Sequence, residues 1–273
     1  KQKQALQAKL SQLCSGPVKV ELAMRYGNPS IASALENLKA QGARRVILFP
    51  LYPQYSATTT ASTFDAVAKV FTKQRWMPEL RVINNYGADD GYINACVQQI
   101  QNHWQQHQRK QKLIFSFHGL PKRNLMQGDP YHCECHETAR LITEKLNLKE
   151  DEWQLTFQSR FGKAEWLQPY MIKRMEELPG EGVKSVDVFC PGFSADCLET
   201  LEEISMQNCE VFMQAGGEAF SYIPALNEEA AHIDALANIV LQHTQGWSEV
   251  SSNYQKPEMS VVKERAMKVG AKQ

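Results

Sequence analysis

The side chain best placed for chemistry is His118. It follows the apolar run 113–117 and precedes Gly119-Leu120-Pro121, residues that end a strand and turn the chain. An imidazole at such a point can accept a proton near neutral pH or bind a borderline metal ion. Position alone supports a catalytic role and a local role in shaping the turn equally.

A second stretch, 196–203, supplies carboxylates and follows a predicted strand and the turn 191–193. Helical spacing would place Asp196, Glu199 and Glu203 on one face, where they could collect a divalent cation. Alternatively, Asp196 and Glu199 resemble a capping box, and acidic residues in a first turn complement the helix dipole. Taken alone, this pattern favours capping.

Two further segments combine polar side chains. The segment 132–136, His-Cys-Glu-Cys-His, looks like a metal site but lacks the spacing of zinc sites, which favours surface residues before a helix. The hydroxyl-rich loop 52–60 could hold an anionic group at a helix N-terminus, or its Ser and Thr side chains could simply cap that helix. Glycine-rich phosphate motifs and a Gly-x-Ser-x-Gly elbow are absent, which argues against nucleotide binding and a hydrolase.

Short β-rich apolar runs must position these side chains, and longer helical patterns alternate with them. The predicted strands are Val18–Arg25, Arg45–Tyr52, Leu80–Tyr86, Lys112–Phe117, Gln154–Gln158, Ser185–Cys190 and Ala219–Ile223. The predicted helices include Ile31–Lys39, Ala61–Lys73, Tyr92–His107, Glu137–Leu146 and Ile233–His243. This alternation predicts an α/β fold with parallel sheets. The run 46–51 is apolar on both faces, so helices should cover both sides of its sheet. Ligands bind such sheets beyond the carboxyl ends of the strands, where His118 lies.

The polar segment 105–111 divides the chain of 273 residues into two α/β parts. We predict an N-terminal half-domain over 1–108, a second domain over 109–246 and a mildly basic tail over 247–273. The tail invites two interpretations, contact with anionic lipid or a solvated segment, and the charge pattern favours the solvated segment. The polar start, 1–6, is typical of the middle of a helix, so the chain is expected to be a fragment or a processed product.

Composition excludes several classes of protein. Apolar residues make up 43% of the chain, enough for a core. Thirty basic residues balance thirty acidic ones, which argues against a broad nucleic-acid surface. No apolar run reaches eighteen residues, the length of a membrane span. Seven cysteines, an odd number, are a poor disulfide framework and indicate a reducing compartment.

Together these segments resemble the ferrochelatase family, most closely its proteobacterial type. The signature that carries the resemblance is 113–121, Leu-Ile-Phe-Ser-Phe-His-Gly-Leu-Pro, followed by Gly128-Asp129-Pro130-Tyr131. The remaining landmarks occur in the family's order, at 24–27, 51–56, 156–160, 165–167 and 191–201. The resemblance spans about 18–243.

The resemblance implies two Rossmann-like, chelatase-like domains with parallel sheets, helices on both faces and an active cleft between the domains. It implies insertion of Fe²⁺ into protoporphyrin IX with release of two protons, the last step of haem synthesis. His118 and Glu199 would be catalytic, and with Glu203 they would handle the metal. The positions expected to bind the porphyrin are Arg25, Tyr26, Tyr52, Tyr55, Trp166 and Phe193.

Cofactor, partners and location also follow from the resemblance. Protoporphyrin IX and ferrous iron are the expected partners, with iron as a substrate and no prosthetic group. No cysteine follows Cys209, so the C-terminal iron–sulfur cluster of animal relatives is not expected. A monomer in the cytoplasm is expected, with no nucleic-acid partner and with peripheral membrane contact as an open alternative.

Departures from the family pattern are visible at two places. The family's first strand, which ends in Asn-Leu-Gly-Thr-Pro, and the lip segment after it are not found in the chain, so activity of the chain alone is in question. Position 197 is Cys where many relatives carry His.

Three alternatives stay open at this point. One is another tetrapyrrole chelatase, such as an enzyme that inserts cobalt into sirohydrochlorin. Another is a porphyrin-binding protein without activity. The third is a periplasmic two-domain binding protein, against which the lack of a signal peptide and the odd cysteine count speak.

Overall fold

Two parallel sheets form the frame of the molecule. The structure, a computed structural model, describes residues 1–251, 253–255 and 258–272. The first sheet pairs β1 (Arg45–Leu48) with β2 (Glu79–Val82). The second sheet has the order β4-β3-β5-β6, all parallel, with strands β3 (Lys112–His118), β4 (Trp153–Gln158), β5 (Ser185–Phe189) and β6 (Ala219–Ile223). The predicted α/β class is therefore confirmed.

Helices connect and cover these strands. The α-helices are α1 (Gln2–Leu13), α2 (Ile31–Ala40), α3 (Ser62–Phe71), α4 (Asp90–Gln106), α5 (Lys122–Met126), α6 (Tyr131–Leu146), α7 (Met171–Glu177), α8 (Cys209–Gln214), α9 (Ala230–His243) and α10 (Met259–Lys268). A π-helical turn, Ala57–Ala61, leads into α3, and a longer π-helix, Glu199–Asn208, leads into α8. Short 3₁₀ turns occur at Glu150–Glu152 and Ser248–Val250.

The second sheet is buried on both faces, as alternation along β3 shows. Leu113, Phe115 and Phe117 enter a core that α4, α6 and α9 complete on one face. Ile114 enters the core of the opposite face, which α7, α8 and the longer π-helix complete. Successive side chains of a strand point to opposite faces, so both sets of apolar residues are needed to cover this sheet.

The strand order places a crevice at the end of β3. The chain runs from β3 outward to β4 on one side, then returns to β5 and β6 on the other side of β3. This reversal is a topological switch point, where open α/β sheets bind ligands beyond the carboxyl ends of the strands. His118 ends β3, and the segment that leads to Glu199 follows β5. The fold therefore brings two segments remote in sequence to the same edge.

The first sheet is smaller and is also covered on both sides. Val46 packs with Ile31 and Leu35 of α2 and with Val67 and Phe71 of α3. The neighbouring residue Ile47 packs against the core of the second sheet. This arrangement is the two-sided burial expected for the run 46–51.

Helix α4 lies before the predicted boundary at 108 but packs with the second sheet. Its buried residues Ile93, Cys96 and Ile100 belong to the same core as Leu113 and Phe115. The second core therefore includes chain from Ile83 onward. The predicted division at 108 and 109 follows the polar linker and not the limit of the core.

The prediction of a strand over Val18–Arg25 is wrong. Among the described residues this segment has only an isolated bridge, between Met24 and Ser30. The side chain of Gln7 in α1 takes the place of a neighbouring strand: its Nε2 donates to the carbonyl of Val18 at 3.0 Å, and its Oε1 accepts from the backbone N–H of Val20 at 2.8 Å. The extended backbone is thus satisfied without a ladder.

The start of the predicted tail packs on the first sheet. Trp247 is 9% exposed, lies against the guanidinium of Arg81 at 4.6 Å and donates its Nε1–H to Glu79 at 2.7 Å. Glu249 forms an ion pair with Arg45, and its carbonyl accepts from the backbone N–H of Gly16 at 2.7 Å. The later part of 247–273 includes α10, which buries none of its residues. In the described part of the chain, no helix is long and apolar enough to cross a membrane.

Candidate active site

His118 is half-buried at the end of β3, and its backbone and ring are both held. Its Nδ1 lies 2.7 Å from the carbonyl oxygen of Gly119. A carbonyl can only accept, so Nδ1 carries the hydrogen and Nε2 is left as the proton acceptor. Tyr131 donates its hydroxyl to the carbonyl of His118 at 2.9 Å. The ring is therefore oriented as a general base would need to be.

Glu199 begins the longer π-helix and is exposed. The thiol of Cys197 donates to its carboxylate and holds the pKa of Glu199 below its ordinary value. A backbone N–H acts in the same direction. His118 ends β3 and Glu199 follows the neighbouring strand β5, so both residues lie at the same edge of the second sheet. Burial, and then the contact with Glu199, raise the pKa of Cys197 to about 11, so its thiol stays protonated as a donor.

Gln158 links the end of the sheet to the start of this π-helix. It is 2% exposed and lies opposite His118 in the register of β3 and β4. Its Nε2 donates to the carbonyl of Glu199 at 2.8 Å, while its Oε1 accepts from the hydroxyl of Ser116 at 2.8 Å. No role was assigned to Gln158 from sequence, although a polar residue closing an apolar strand at its carboxyl end was a visible signal.

The carboxylate of Glu203 accepts hydrogen bonds from a neighbouring residue of the protein. Its carboxylate accepts from the backbone N–H of Ser159 at 2.6 Å and from the Ser159 hydroxyl at 2.5 Å. Ser159 has a φ of 61°, a conformation that non-glycine residues seldom adopt. The described residues contain no group of three or more His, Cys, Asp and Glu side chains that could hold a metal ion. The predicted metal set of His118, Glu199 and Glu203 is thus not assembled here as a three-ligand site.

Asp196 serves the loop after β5 and does not stand in a stripe of carboxylates. One oxygen accepts from the hydroxyls of Tyr222 at 2.6 Å and Thr200 at 3.1 Å, and the other accepts from Asn227 at 2.8 Å. Because the following segment is π-helical, its hydrogen bonds close every five residues and the predicted α-helical spacing does not apply. Asp196 therefore fixes the loop that carries Cys197 and Glu199.

Three of the predicted porphyrin-binding residues lie together near the end of β1. The guanidinium of Arg25 stacks over the ring of Tyr26 at 4.6 Å, and its Nε donates to the carbonyl of Ser62 at 3.0 Å. Burial raises the pKa of Tyr52, and the charges of Tyr26 and Arg25 are near enough to affect it. Tyr26 is 75% exposed. The group presents an aromatic surface with an attached cation.

Trp166 and Phe193 are less exposed than residues that contact a ligand directly would be. Trp166 is 4% exposed and packs so closely on Gly119 that a Cβ there would lie 3.1 Å from its ring. Phe161, which is 73% exposed, meets Trp166 edge to face at 4.8 Å. Phe193 is half-buried against the core beneath the π-helix. Trp166 therefore supports the turn after His118, and Phe161 is the exposed aromatic residue that sequence reasoning missed.

The loop 52–60 is tied to the start of α6. The backbone N–H of Tyr55 donates to Glu134 at 2.7 Å, and the hydroxyl of Ser56 donates to Asp129 at 2.9 Å. Ser56 also accepts from the backbone N–H of Thr58 at 3.1 Å, as the capping interpretation predicts. Gln54, which is 1% exposed, donates to the carbonyl of Pro191 at 3.3 Å. These bonds join the first sheet to the loop after β5.

The segment 132–136 lies within α6 and not before a helix, so that prediction is wrong. Cys135 is fully buried in the core, and Glu134 holds the loop at Tyr55. Burial lowers the pKa of His132 and of His136, and in His136 the neighbouring His132 adds to the effect. The mixture of polar and apolar residues in 132–136 hides the helical periodicity of this segment in the sequence.

Comparison with known proteins identifies the family. A family model described as Ferrochelatase matches residues 1–244, which is most of the chain. The chain belongs to the ferrochelatase family. A ferrochelatase from Marinobacter nauticus is 56% identical over 247 residues, covering 90% of this chain and 67% of that protein. A ferrochelatase from Thioalkalivibrio sulfidiphilus is 52% identical over 276 residues, covering 100% of this chain and 75% of that protein.

Similarity to solved structures supports the fold alone. SirB from Bacillus subtilis, solved with Fe³⁺, has a TM-score of 0.63 and 14% sequence identity and covers 92% of each chain. Ferrochelatase membership confirms the resemblance drawn from 113–121 and, with it, the enzyme class, a lyase of haem synthesis. The roles of individual site residues stay predictions.

Proposed function

We propose that this ferrochelatase inserts Fe²⁺ into protoporphyrin IX by removing the two pyrrole protons through His118 while Glu199 receives the metal. The observation that carries the proposal is that the strand order places His118, at the end of β3, and Glu199, after the neighbouring strand β5, at the same edge of the second sheet. Family membership supplies the reaction, in which iron and porphyrin are both substrates.

His118 suits proton removal better than metal binding. Its Nδ1–H is engaged with the carbonyl of Gly119, so Nε2 is the nitrogen that accepts a pyrrole proton. A protonated imidazole does not bind a metal, so the two roles would exclude each other within one turnover. We therefore assign the base to His118 and leave the cation to a different group.

Glu199 suits the cation because it is exposed and anionic. Its carboxylate is charged near neutrality, and the lowered pKa extends that charge to more acidic pH. A carboxylate oxygen is a suitable ligand for ferrous iron. Glu199 lies in the first turn of the π-helix, and Gln158 fixes the backbone behind it. Once the metal ion has left its carboxylate for the porphyrin, Glu199 can pass protons from His118 toward solvent.

The group formed by Arg25, Tyr26 and Tyr52 supports the porphyrin. The macrocycle is flat and apolar, and it carries propionate carboxylates at one edge. Aromatic faces bury such a ring, and the terminal nitrogens of Arg25 stay available because its Nε is the atom that binds Ser62. Tyr55, Trp166 and Phe193 then act indirectly, as supports of the loops and turns that carry the site.

Replacement of His118 by Ala tests the base. We expect a loss of about 10²- to 10⁴-fold in the rate of iron insertion, the usual contribution of a positioned general base. The matched control is His107→Ala, an exposed histidine at the end of α4 that should leave the rate unchanged. Insertion within about threefold of the wild-type rate in His118→Ala would show that another group removes the protons.

Glu199→Gln separates metal handling from porphyrin binding. The variant should bind protoporphyrin with unchanged affinity and insert iron slowly. Loss of porphyrin binding with unchanged binding of iron would contradict the assignment. Assays of Fe²⁺ and Co²⁺ with protoporphyrin and sirohydrochlorin, run beside these, distinguish this reaction from cobalt chelation and from porphyrin binding without catalysis.

A further inference from the structure

The segment 132–136 contains two histidines that the proposed reaction does not use. His132 and His136 are one helical turn apart on α6, with ring centroids 4.5 Å apart and ring planes inclined by 49°. Two histidines at this spacing on one helix face are the metal-binding pair of the His-Glu-x-x-His zinc enzymes. The pair is therefore correctly spaced to chelate one ion.

The nitrogens of this pair are free of hydrogen bonds within the described residues. A second pair of the same spacing, His103 and His107, provides a contrast, since its rings stack at 4.3 Å. There Nε2 of His103 lies 2.7 Å from the Ser221 hydroxyl, and Nδ1 of His107 lies 3.2 Å from a backbone carbonyl. Of these two pairs, the one on α6 presents both rings without hydrogen-bond partners in the part of the chain that the structure describes.

The surroundings of His132 hold its ring and leave room for water. The ring stacks on Phe157 at 5.8 Å with planes inclined by 21°. It also lines a cavity of about 310 Å³, which at about 30 Å³ per water has space for several molecules. The one lysine of this lining, Lys122, is neutralised by Glu165 at 2.8 Å. A cation at the pair therefore meets no uncompensated positive charge there.

We propose that His132 and His136 form a second binding site for a divalent transition-metal ion, outside the active cleft, with water completing its coordination. No third His, Cys, Asp or Glu among the described residues joins the group, so binding is weaker than at a structural zinc site. Imidazole ligands select borderline ions such as Fe²⁺, Co²⁺ and Zn²⁺ over Mg²⁺. The site does not depend on the proposed roles of His118 and Glu199.

Titration with Co²⁺, followed by visible absorption and calorimetry, tests the site. We expect His136→Gln and His132→Gln each to weaken the binding of one equivalent of Co²⁺ by at least about 10- to 100-fold. Loss of a residue that merely supports a metal ligand already weakens metal binding by this factor. His118→Ala should leave this equivalent unchanged, because the ion lies outside the cleft. Circular dichroism should show both glutamine variants folded, since neither histidine makes a hydrogen bond that is lost.

Matched variants decide between this pair and its neighbours. His107→Gln removes the second histidine pair, and Cys133→Ser removes the exposed thiol beside His132. Neither should change Co²⁺ binding. The proposal is overturned if both α6 variants bind Co²⁺ as the wild type does. It is also overturned if His107→Gln, Cys133→Ser or His118→Ala abolishes the binding.

Discussion

The lowering of the pKa of Glu199 depends more on one neighbouring thiol, that of Cys197, than on any other group. The thiol of Cys197 stays protonated, and its hydrogen bond stabilises the ionised carboxylate. This donor lies two residues before the carboxylate in the chain, so a substitution at 197 tests it directly.

Cys197→Ala should therefore shift the acid limb of the pH–rate profile to higher pH. Loss of the donor raises the pKa of Glu199 toward its ordinary value, so the carboxylate is neutralised earlier as the pH falls. Cys197→Ser keeps a donor and should retain most of the wild-type profile. Profiles of kcat/KM for both variants measure the effect, and identical acid limbs would show that the thiol does not control Glu199.

The π-helix after β5 acts as a unit held at two points. Gln158 binds the carbonyl of Glu199, and Ser159 binds the carboxylate of Glu203, so the end of β4 fixes the first turn of the helix. π-Helical turns are rare and occur mostly at functional sites. The same strand end thus sets the position of Glu199 relative to His118.

Glu203→Ala and Glu203→Gln separate this clamp from a metal role. Alanine leaves the donors of Ser159 unpaired, which should lower the free energy of unfolding by about 1.5–3 kcal/mol, while glutamine still accepts a bond and should lose less. Urea unfolding and insertion rates measure both, with Glu202→Gln, an exposed neighbour, as control. A Glu203→Gln enzyme of normal stability that no longer inserts iron would instead place Glu203 on the path of the metal.

Elements were predictable from sequence where one local signal dominated. His118 ends its strand because a buried apolar run meets Gly119 and Pro121, and β3 has the predicted start. The π-helix was not predictable, since its residues have the spacing of an α-helix until tertiary bonds at Gln158 and Ser159 stretch it. The prediction of a strand at Val18–Arg25 is wrong for a similar reason. The side chain of Gln7, from another element, makes the hydrogen bonds of its backbone that a neighbouring strand would make.

At the scale of the molecule, the two sheets are joined by polar side chains between loops. Gln54 reaches the carbonyl of Pro191, and Tyr92 donates to the same carbonyl at 2.8 Å. The first sheet is also closed from outside by the segment 247–250. Neither link could be read from sequence, since each joins residues far apart in the chain through contacts of a few individual side chains.

Trp247→Ala should destabilise the first sheet selectively. The substitution removes a buried ring and its contacts with Arg81 and Glu79, and loss of a buried tryptophan costs about 3–5 kcal/mol. Hydrogen exchange should show faster opening of β1 and β2 while β3 to β6 keep their protection. Uniform loss of protection over both sheets would show that they unfold as one unit.

The closure at Trp247 also sets an order of events during synthesis. Residues of β1 and β2 leave the ribosome long before the segment that covers them, and a two-stranded sheet alone is marginal in water. The second sheet is built from strands and helices that follow one another in sequence. It can therefore fold as soon as β6 and α9 have left the ribosome. We therefore expect the half translated first to mature last, its apolar strands exposed to chaperones until translation has passed residue 250.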